Sequence, residues 1–539
     1  MSRGADIVAN ALEENGVSHL FSVSGNHLMS LYDATLARRI QIIHGRHEAA
    51  CVHMADAWGR LTGLPGIVAV TAAQGHANAA AALYTALAAE SPVVLLSGHA
   101  PLGEIGRGSF QEMDQVTLAQ PVTKASWMVR SAATLSFDIA KAFDIATAGR
   151  PGPVHLSLPV DLLDNEFPNH QIADMPRFTS PPTPKIDALF IDRLKTRINA
   201  AKSPLIICGP ALCNEPGRSL MRRAAKELDA PIIGMESPRG VNDPSLGALS
   251  EVLGAADLIV LFGKPLDFTL KFGGAPFAGD CQWIVLDPDS SGVERAQRQL
   301  KDRLVMSEVA EPRAVLNALI EHAAQPAAPS KWRKHADSLF AYSPPAWTAL
   351  HSSREHCLHP VEMCRPIADF VSRHPKTIFV TDGGEISQWA QAIVKTDRRI
   401  INGVAGAIGP AIPSAIAAKI LNPDGPVIVA MGDGTFGFHM AELDTALRYD
   451  LPFIVVVGND ARWNAEYQIQ VRDYGEARAK GCELLPTRYD LVAEGLGCFG
   501  ALVTQASELP EAIERAYRSG KPACINVMIE GVPAPVIRR

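Results

Sequence analysis

Residues 425–460 read GPVIVAMGDGTFGFHMAELDTALRYDLPFIVVVGND, and their pattern decides the fold. A continuous apolar run (PVIVA, 426–430) meets a glycine-flanked turn from Met431 to Phe436. A helical stretch follows, and a second apolar run (FIVVV, 453–457) ends at Gly458-Asn459-Asp460. Apolar runs without alternation, joined through a helix, are strands of a parallel sheet covered on both faces. The glycines let backbone N–H groups approach a phosphate closely, and the helix N-terminus behind them adds a favourable dipole. Asp433, inside that turn, would repel a bare phosphate. It makes sense where a divalent cation joins it to the phosphates, because hard cations take oxygen ligands. A second oxygen donor is then expected at the end of the next strand, where Asp460 stands 27 residues after Asp433. Read alone, an Asp here equally well caps its helix.

The same unit recurs upstream. Residues 65–98 read PGIVAVTAAQGHANAAAALYTALAAESPVVLLSG, again a strand, a Gly-containing turn, a helix, a residue–Pro step and a strand. Ligands of open parallel sheets lie beyond the carboxyl ends of strands, so two such turns suit the two ends of one extended ligand. Any doubly wound fold repeats this unit, however. Apolar runs at 204–208 (PLIIC), 258–262 (LIVLF) and 377–381 (TIFVT) extend the alternation through the chain. Two Pro-rich polar stretches, about 165–185 and 325–347, read as linkers whose composition disfavours helix and sheet. At 539 residues the chain is too long for one core. The expectation is an α/β protein with three doubly wound parallel-sheet domains, 1–165, 186–325 and 348–539.

The net charge of −7, from 50 basic and 57 acidic residues without a basic stripe, argues against a nucleic-acid partner. Nine scattered cysteines without a CxxC pair suit reduced cytoplasmic thiols rather than a disulfide frame or a zinc site. The N-terminus MSRGADIVANALEENG reads as an amphipathic helix and lacks a signal peptide's apolar core. No segment reaches the roughly 18 uninterrupted apolar residues of a membrane span, so no membrane partner is expected.

In the first block Gly45-Arg46-His47-Glu48-Ala49-Ala50 opens a helix running on through Met54, Ala57 and Leu61. Alone, a Glu in a first helical turn is a favourable dipole partner. Here R-H-E-A-A is followed by Thr71 and Asn78, and the third block carries the GDG turn and Asn459-Asp460. Together these motifs resemble the thiamine-diphosphate (ThDP) enzyme superfamily, in its acetolactate synthase, benzaldehyde lyase and 2-hydroxyacyl-CoA lyase group. The likeness extends over nearly the whole chain, and makes the three domains pyrimidine-binding, central and diphosphate-binding.

The resemblance implies roles residue by residue. Asp433, the side chain of Asp460 and the backbone carbonyl of Arg462 would coordinate Mg²⁺, with Gly432, Gly434, Thr435 and Asn459 around the diphosphate. The family usually has Asn-Asn where this chain has Asn459-Asp460, so a carboxylate replaces an amide. Within NGVAGAIGPAIPSAIAAKI (402–420), Gly406 and Ile408 would border the cofactor, Ile408 propping it into its bent form. Gly384 and Glu385, in the DGGE turn at 382–385, would bind it from the backbone. Glu48 would hydrogen-bond N1′ of the aminopyrimidine, with Thr71 and Asn78 nearby in a strand–turn. Benzaldehyde lyase and its relatives carry a His where His27 stands, and Phe110-Gln111 resembles the F-Q-E-x-D run of acetolactate synthases and 2-hydroxyacyl-CoA lyases. His27 and Gln111 would then join Glu48 as catalytic groups, His27 shuttling a hydroxyl proton and Gln111 bonding the substrate oxygen. Asn26, Phe110, Trp463, Asn464 and Tyr467 would shape the substrate pocket.

Residues 186–322 resemble the central domain, which in some relatives binds FAD or the ADP part of coenzyme A. The turn Gly209-Pro210-Ala211 lacks a GxGxxG pattern, and Pro removes a donor a phosphate cradle would use, so FAD is not expected. The expected activity is a ThDP- and Mg²⁺-dependent carbon–carbon lyase or carboligase acting on 2-hydroxyacyl-CoA or 2-hydroxy ketones through a thiazolium adduct. The alternatives are an acetolactate synthase-like 2-oxo-acid decarboxylase and a non-catalytic ThDP-binding protein. A nucleotide-dependent dehydrogenase lacks its dinucleotide fingerprint. The family's arrangement implies a homodimer or homotetramer.

Overall fold

The structure, a computed structural model, describes residues 1–169, 186–321 and 328–539. Three parallel sheets carry the chain, and each takes its strands from one contiguous stretch. In the first, six strands lie in the spatial order Gln41–His44, His19–Ser22, Gly66–Val70, Val93–His99, Pro153–Pro159 and Ala125–Met128. The last sheet runs Arg399–Ile400, Ile378–Thr381, Val427–Gly432, Ile454–Asn459, Ala523–Met528 and Phe499–Val503. Numbered within each sheet by chain order, both read 2-1-3-4-6-5. The echo between 65–98 and 425–460 is therefore an identity of topology extending over six strands. The middle sheet has five strands in the order 2-1-3-4-5, built from Pro204–Cys208, Ile232–Gly234, Leu258–Phe262, Gln282–Asp287 and Leu304–Val309.

The apolar runs form strands because they are buried on both faces. Gly66–Val70, Val93–His99, Pro204–Cys208 and Leu258–Phe262 are buried at every residue. Each buried Val, Ile or Leu side chain contributes about 1.5–3 kcal/mol. The N-terminal helix is Gly4–Glu14, and it packs Val8 and Leu12 into the core that also holds Leu20, Leu96 and Leu156.

By packing, the chain forms two compact units. One comprises Met1–Pro181, Ile412–Leu421 and His439–Leu451; the other comprises Pro182–Ala411, Asn422–Phe438 and Pro452–Arg539. The first Pro-rich stretch lies outside the described residues from 170 to 185. The second overturns its reading as a linker, since Lys331–Phe340 is a helix. Ser330 caps it by accepting the Arg333 N–H, and Trp332, Ala336 and Leu339 form one apolar stripe on the middle sheet's core. The prolines flank this helix, and its 3.6-residue period outweighs the composition around it. Among the described residues no helix is long and apolar enough to cross a membrane.

In both six-stranded sheets the chain reverses direction between the first and third strands. Ligands of open α/β sheets bind at the carboxyl ends of such a pair. In the first sheet these ends lead to Asn26-His27 and Thr71. In the last they lead to Asp382–Glu385 and Gly432-Asp433.

Candidate active site

Glu48 is the first residue of the helix Glu48–Thr62, whose N-cap His47 accepts the Ala49 N–H on Nδ1 at 3.1 Å. The carboxylate is held from the neighbouring turn. Asn78 donates its amide to Glu48 Oε2 at 3.0 Å, and a Cβ on Gly75 would lie only 3.4 Å from Oε1. Asn78 belongs not to a strand–turn but to the helix Gln74–Ala88, which begins earlier than the sequence implied and brings Asn78 one turn above Gln74. At the start of the same turn Thr71 Oγ1 lies 3.1 Å from His27 Nδ1. His27 is buried, and its ring stacks on Phe110 with centroids 6.1 Å apart and planes 12° from parallel. Phe110 itself is 67% exposed. Burial, then the neighbouring His99, hold the His27 ring below its ordinary pKa, which favours its neutral form. Glu48, Asn78, Thr71, His27 and Phe110 thus form one continuous cluster. Gln111 follows on the same loop at a φ of +56°, and Asn26 is exposed.

Sequence reading missed Gln115, which holds this turn in shape. Ala73 sits at φ +46°, ψ −93°, a conformation L-residues avoid. The buried Gln115 accepts the Ala73 N–H on Oε1 at 2.8 Å and donates to the Gly98 carbonyl at 3.1 Å and to Ser157 Oγ at 3.0 Å. Nothing local in the sequence marks it, because its partners lie 17 to 42 residues away. Gln115→Ala is expected to lower stability by about 1–3 kcal/mol for each buried group left unpaired, read as a lower denaturation midpoint.

The second cluster lies in the other unit. Asp433 opens the helix Asp433–His439 directly after the strand Val427–Gly432. Its carboxylate is buried, and among the described residues Oδ2 has no hydrogen-bond partner. Asp460, at the end of the next strand, feels it: burial and the charge of Asp433 both push the Asp460 carboxyl well up, and burial raises Asp433 as well. The Arg462 guanidinium opposes that rise at Asp460 without cancelling it. A pocket of about 470 Å³, counting its open mouth, joins Asp433, Asp460, Gly432, Gly434, Thr435, Gly384, Glu385, Ile408, Arg462, Trp463 and Asn464. Gly384 supplies a φ of +87° and opens the helix Glu385–Ile393. A Cβ on Gly383 would strike Ile408 Cγ2 at 2.6 Å, and one on Gly434 would strike the Trp463 ring at 2.7 Å. The glycines are therefore needed for these two side chains to close on the pocket.

Three expected residues are not in this pocket's lining. Asn459 is fully buried and turned inward: its amide donates to the Thr487 carbonyl at 2.9 Å and to Asn526 Oδ1 at 3.1 Å, and its oxygen accepts the Ala461 N–H at 3.2 Å. It shapes the loop that carries Asp460 rather than lining the pocket. Tyr467 is drawn to Glu476, 3.0 Å from its hydroxyl, and lies under the Arg462 guanidinium, so it does not line the pocket either. Gly406, at φ +68°, faces Pro238 and is not itself among the lining residues, two positions before Ile408, which is. Asp382 has a larger part than its place in a turn suggested. Fully buried, it accepts the Gly409 N–H at 3.0 Å and ties the Ile408 loop to the strand end, and burial pushes its carboxyl up to about 7.

These residues fit a divalent cation with a diphosphate. Asp433 Oδ2 is an orphaned buried acceptor, Asp460 supplies a second carboxylate, and a glycine turn at a helix N-terminus is open beside them. Among the described residues no three His, Cys, Asp or Glu side chains gather as a metal site. The pair would therefore complete a cation's shell with backbone and phosphate oxygens.

Residues 2–118 match the family described as thiamine pyrophosphate enzyme, N-terminal TPP binding domain, and residues 382–527 match its C-terminal TPP binding domain. A "Probable acetolactate synthase" of Mycobacterium bovis is 30% identical, covering 97% of this chain and 95% of its own. A "2-hydroxyacyl-CoA lyase 2" of Danio rerio is 28% identical, covering 98% of this chain and 91% of its own, and the Homo sapiens protein of the same name is 27% identical. With two clusters of the expected chemistry at the switch points of twin sheets, and with relatives matched along almost its full length, this chain belongs to the thiamine-diphosphate-dependent enzymes.

Proposed function

We propose that this enzyme is a Mg²⁺-dependent carbon–carbon lyase or carboligase that cleaves or forms 2-hydroxyacyl-CoA or 2-hydroxy ketones. The observation that carries the reading is the segment 71–78. Its turn meets His27 through Thr71, and the first turn of the helix behind it holds Glu48 through Asn78. When bound, thiamine diphosphate supplies the electron sink for a carbanion formed next to a carbonyl. Asp433 and Asp460, with the Arg462 carbonyl, would hold the cation, and the turn 432–435 would receive the diphosphate. Glu48 would hold a proton for N1′ of the aminopyrimidine, while Asn78 fixes its Oε2. His27, neutral and sheltered by Phe110, takes the proton from the substrate hydroxyl as the carbon–carbon bond breaks and returns it when the bond forms. Gln111 orients the substrate oxygen, while Trp463 and Asn464 limit the pocket on the cofactor side.

A second reading is an acetolactate synthase-like 2-oxo-acid decarboxylase and carboligase, supported by the Mycobacterium bovis relative. Turnover of 2-hydroxyacyl-CoA, 2-hydroxy ketones and pyruvate with the cofactor and Mg²⁺ separates the two. Aldehyde release from a 2-hydroxy substrate supports the lyase, and carbon dioxide from pyruvate alone rejects it. His27→Ala is expected to lower that aldehyde release by about 10²–10⁴-fold. The wild-type rate should hold below pH 6.5 and fall only as the lowered pKa of His27 is passed, a limb absent from the variant. We further propose a homodimer or homotetramer, as the family resemblance implies. A central domain without FAD is supported by Pro210 in its first turn, and a cytoplasmic location by nine free cysteines.

A further inference from the structure

We infer that Glu442 is a positioning residue for Glu48, a proposal that rests on reading Glu48 as the group exchanging a proton with the cofactor. Within the same compact unit, one short segment engages the backbone leading into Glu48. Glu442 is 1% exposed, and its Oε1 accepts the Arg46 N–H at 2.9 Å. Its carboxylate also takes the His47 N–H. Thr445 donates to the other oxygen at 2.6 Å and orients it. Tyr449 accepts the His44 N–H on its hydroxyl at 2.8 Å, and Arg448 donates to the His44 carbonyl at 2.6 Å. Gly45 leaves no room for slack, since a Cβ there would meet Cys51 Sγ at 2.8 Å.

A carboxylate bonded to backbone N–H groups is among the stronger hydrogen-bond acceptors. Here it holds the two peptides immediately before Glu48 in one orientation. Burying a carboxylate costs stability, and a merely structural turn could be satisfied by neutral groups. Catalysis, by contrast, is sensitive to misplacements of about 1 Å, each able to cost on the order of 10²-fold. Glu442 therefore acts through Glu48 and not on the substrate.

The test compares wild type, Glu442→Ala, Glu442→Gln, Tyr449→Phe and Glu48→Ala. In Glu442→Ala kcat should fall about 10²-fold with KM nearly unchanged. Glu442→Gln, which keeps an acceptor oxygen, should recover to within about tenfold of wild type. In the apoprotein, free of cofactor, the Arg46 and His47 amides of Glu442→Ala should exchange hydrogen at least about tenfold faster. Tyr449→Phe should likewise lower kcat and speed exchange at His44, and it decides alone if Glu442→Ala does not fold. Wild-type kcat and exchange in these variants would overturn the proposal. Full activity of Glu48→Ala would instead remove the reading of Glu48. An inactive Glu48→Ala beside a wild-type-like Glu442→Ala would remove only the role of Glu442.

Discussion

Replacing Glu48 with alanine is expected to lower kcat by about 10²–10⁴-fold, the usual worth of a positioned acid–base group. Binding of the diphosphate should change little. The expectation follows from location: the carboxylate opens a helix, is gripped by Asn78 at 3.0 Å, and stands against a glycine that leaves its second oxygen approachable. Steady-state kinetics together with hydrogen exchange at the cofactor's C2 position would check it. Both should collapse together, because Glu48 acts before substrate enters. A variant that lost turnover yet kept C2 exchange would move Glu48 from proton handling to substrate binding. Asn78→Ala belongs to the same test, since freeing the carboxylate should reproduce part of the loss.

Asp433→Asn is expected to weaken Mg²⁺-dependent cofactor binding by more than about 100-fold, beyond what changing an outer-shell partner costs. Calorimetric titration with thiamine diphosphate and Mg²⁺ would measure it, and the thermal stabilisation that ligand binding confers should disappear with it. Asp460→Asn is the informative contrast. It restores the amide usual in the family, removes the carboxylate that repels Asp433, and should leave cofactor binding intact. The sign of the pH effect follows from the same pair. Burial raises both carboxyls, so a cation competes with protons for this pair, and cation affinity should climb as pH rises. Equal binding in Asp433→Asn and wild type would sink the assignment of this turn.

Much of this architecture is legible in the sequence because its signals are local. Strands such as Ile454–Asn459 are continuous aliphatic runs, and burial on both faces leaves them no other pattern. The turn at Asp433 is legible because glycine, carboxylate and helix start lie side by side. The missed features share the opposite property. Gln115 and Glu442 are ordinary polar residues in helical surroundings, and their importance comes from backbone donors 42 and 396 residues away. Asn459 was misplaced for a related reason. A polar residue at a strand end faces either the ligand or the loop behind it, and only the partners Thr487 and the buried Asn526 decide which. The helix Lys331–Phe340 carried its own signal in Trp332, Ala336 and Leu339, masked by the prolines on either side.

The common strand order of the two six-stranded sheets makes them two copies of one topology that agree strand for strand. In these copies the two acidic groups are not counterparts. Glu48 follows the second strand of its copy, and Asp433 follows the third strand of the other. In the first copy the place corresponding to Asp433 is taken by the Ala72-Ala73 turn. In the second, Val404 stands four residues after Arg399–Ile400, where the first copy has Glu48 four residues after Gln41–His44. Each copy thus presents an acid where the other has none, and in the proposed mechanism one serves a proton and the other a cation.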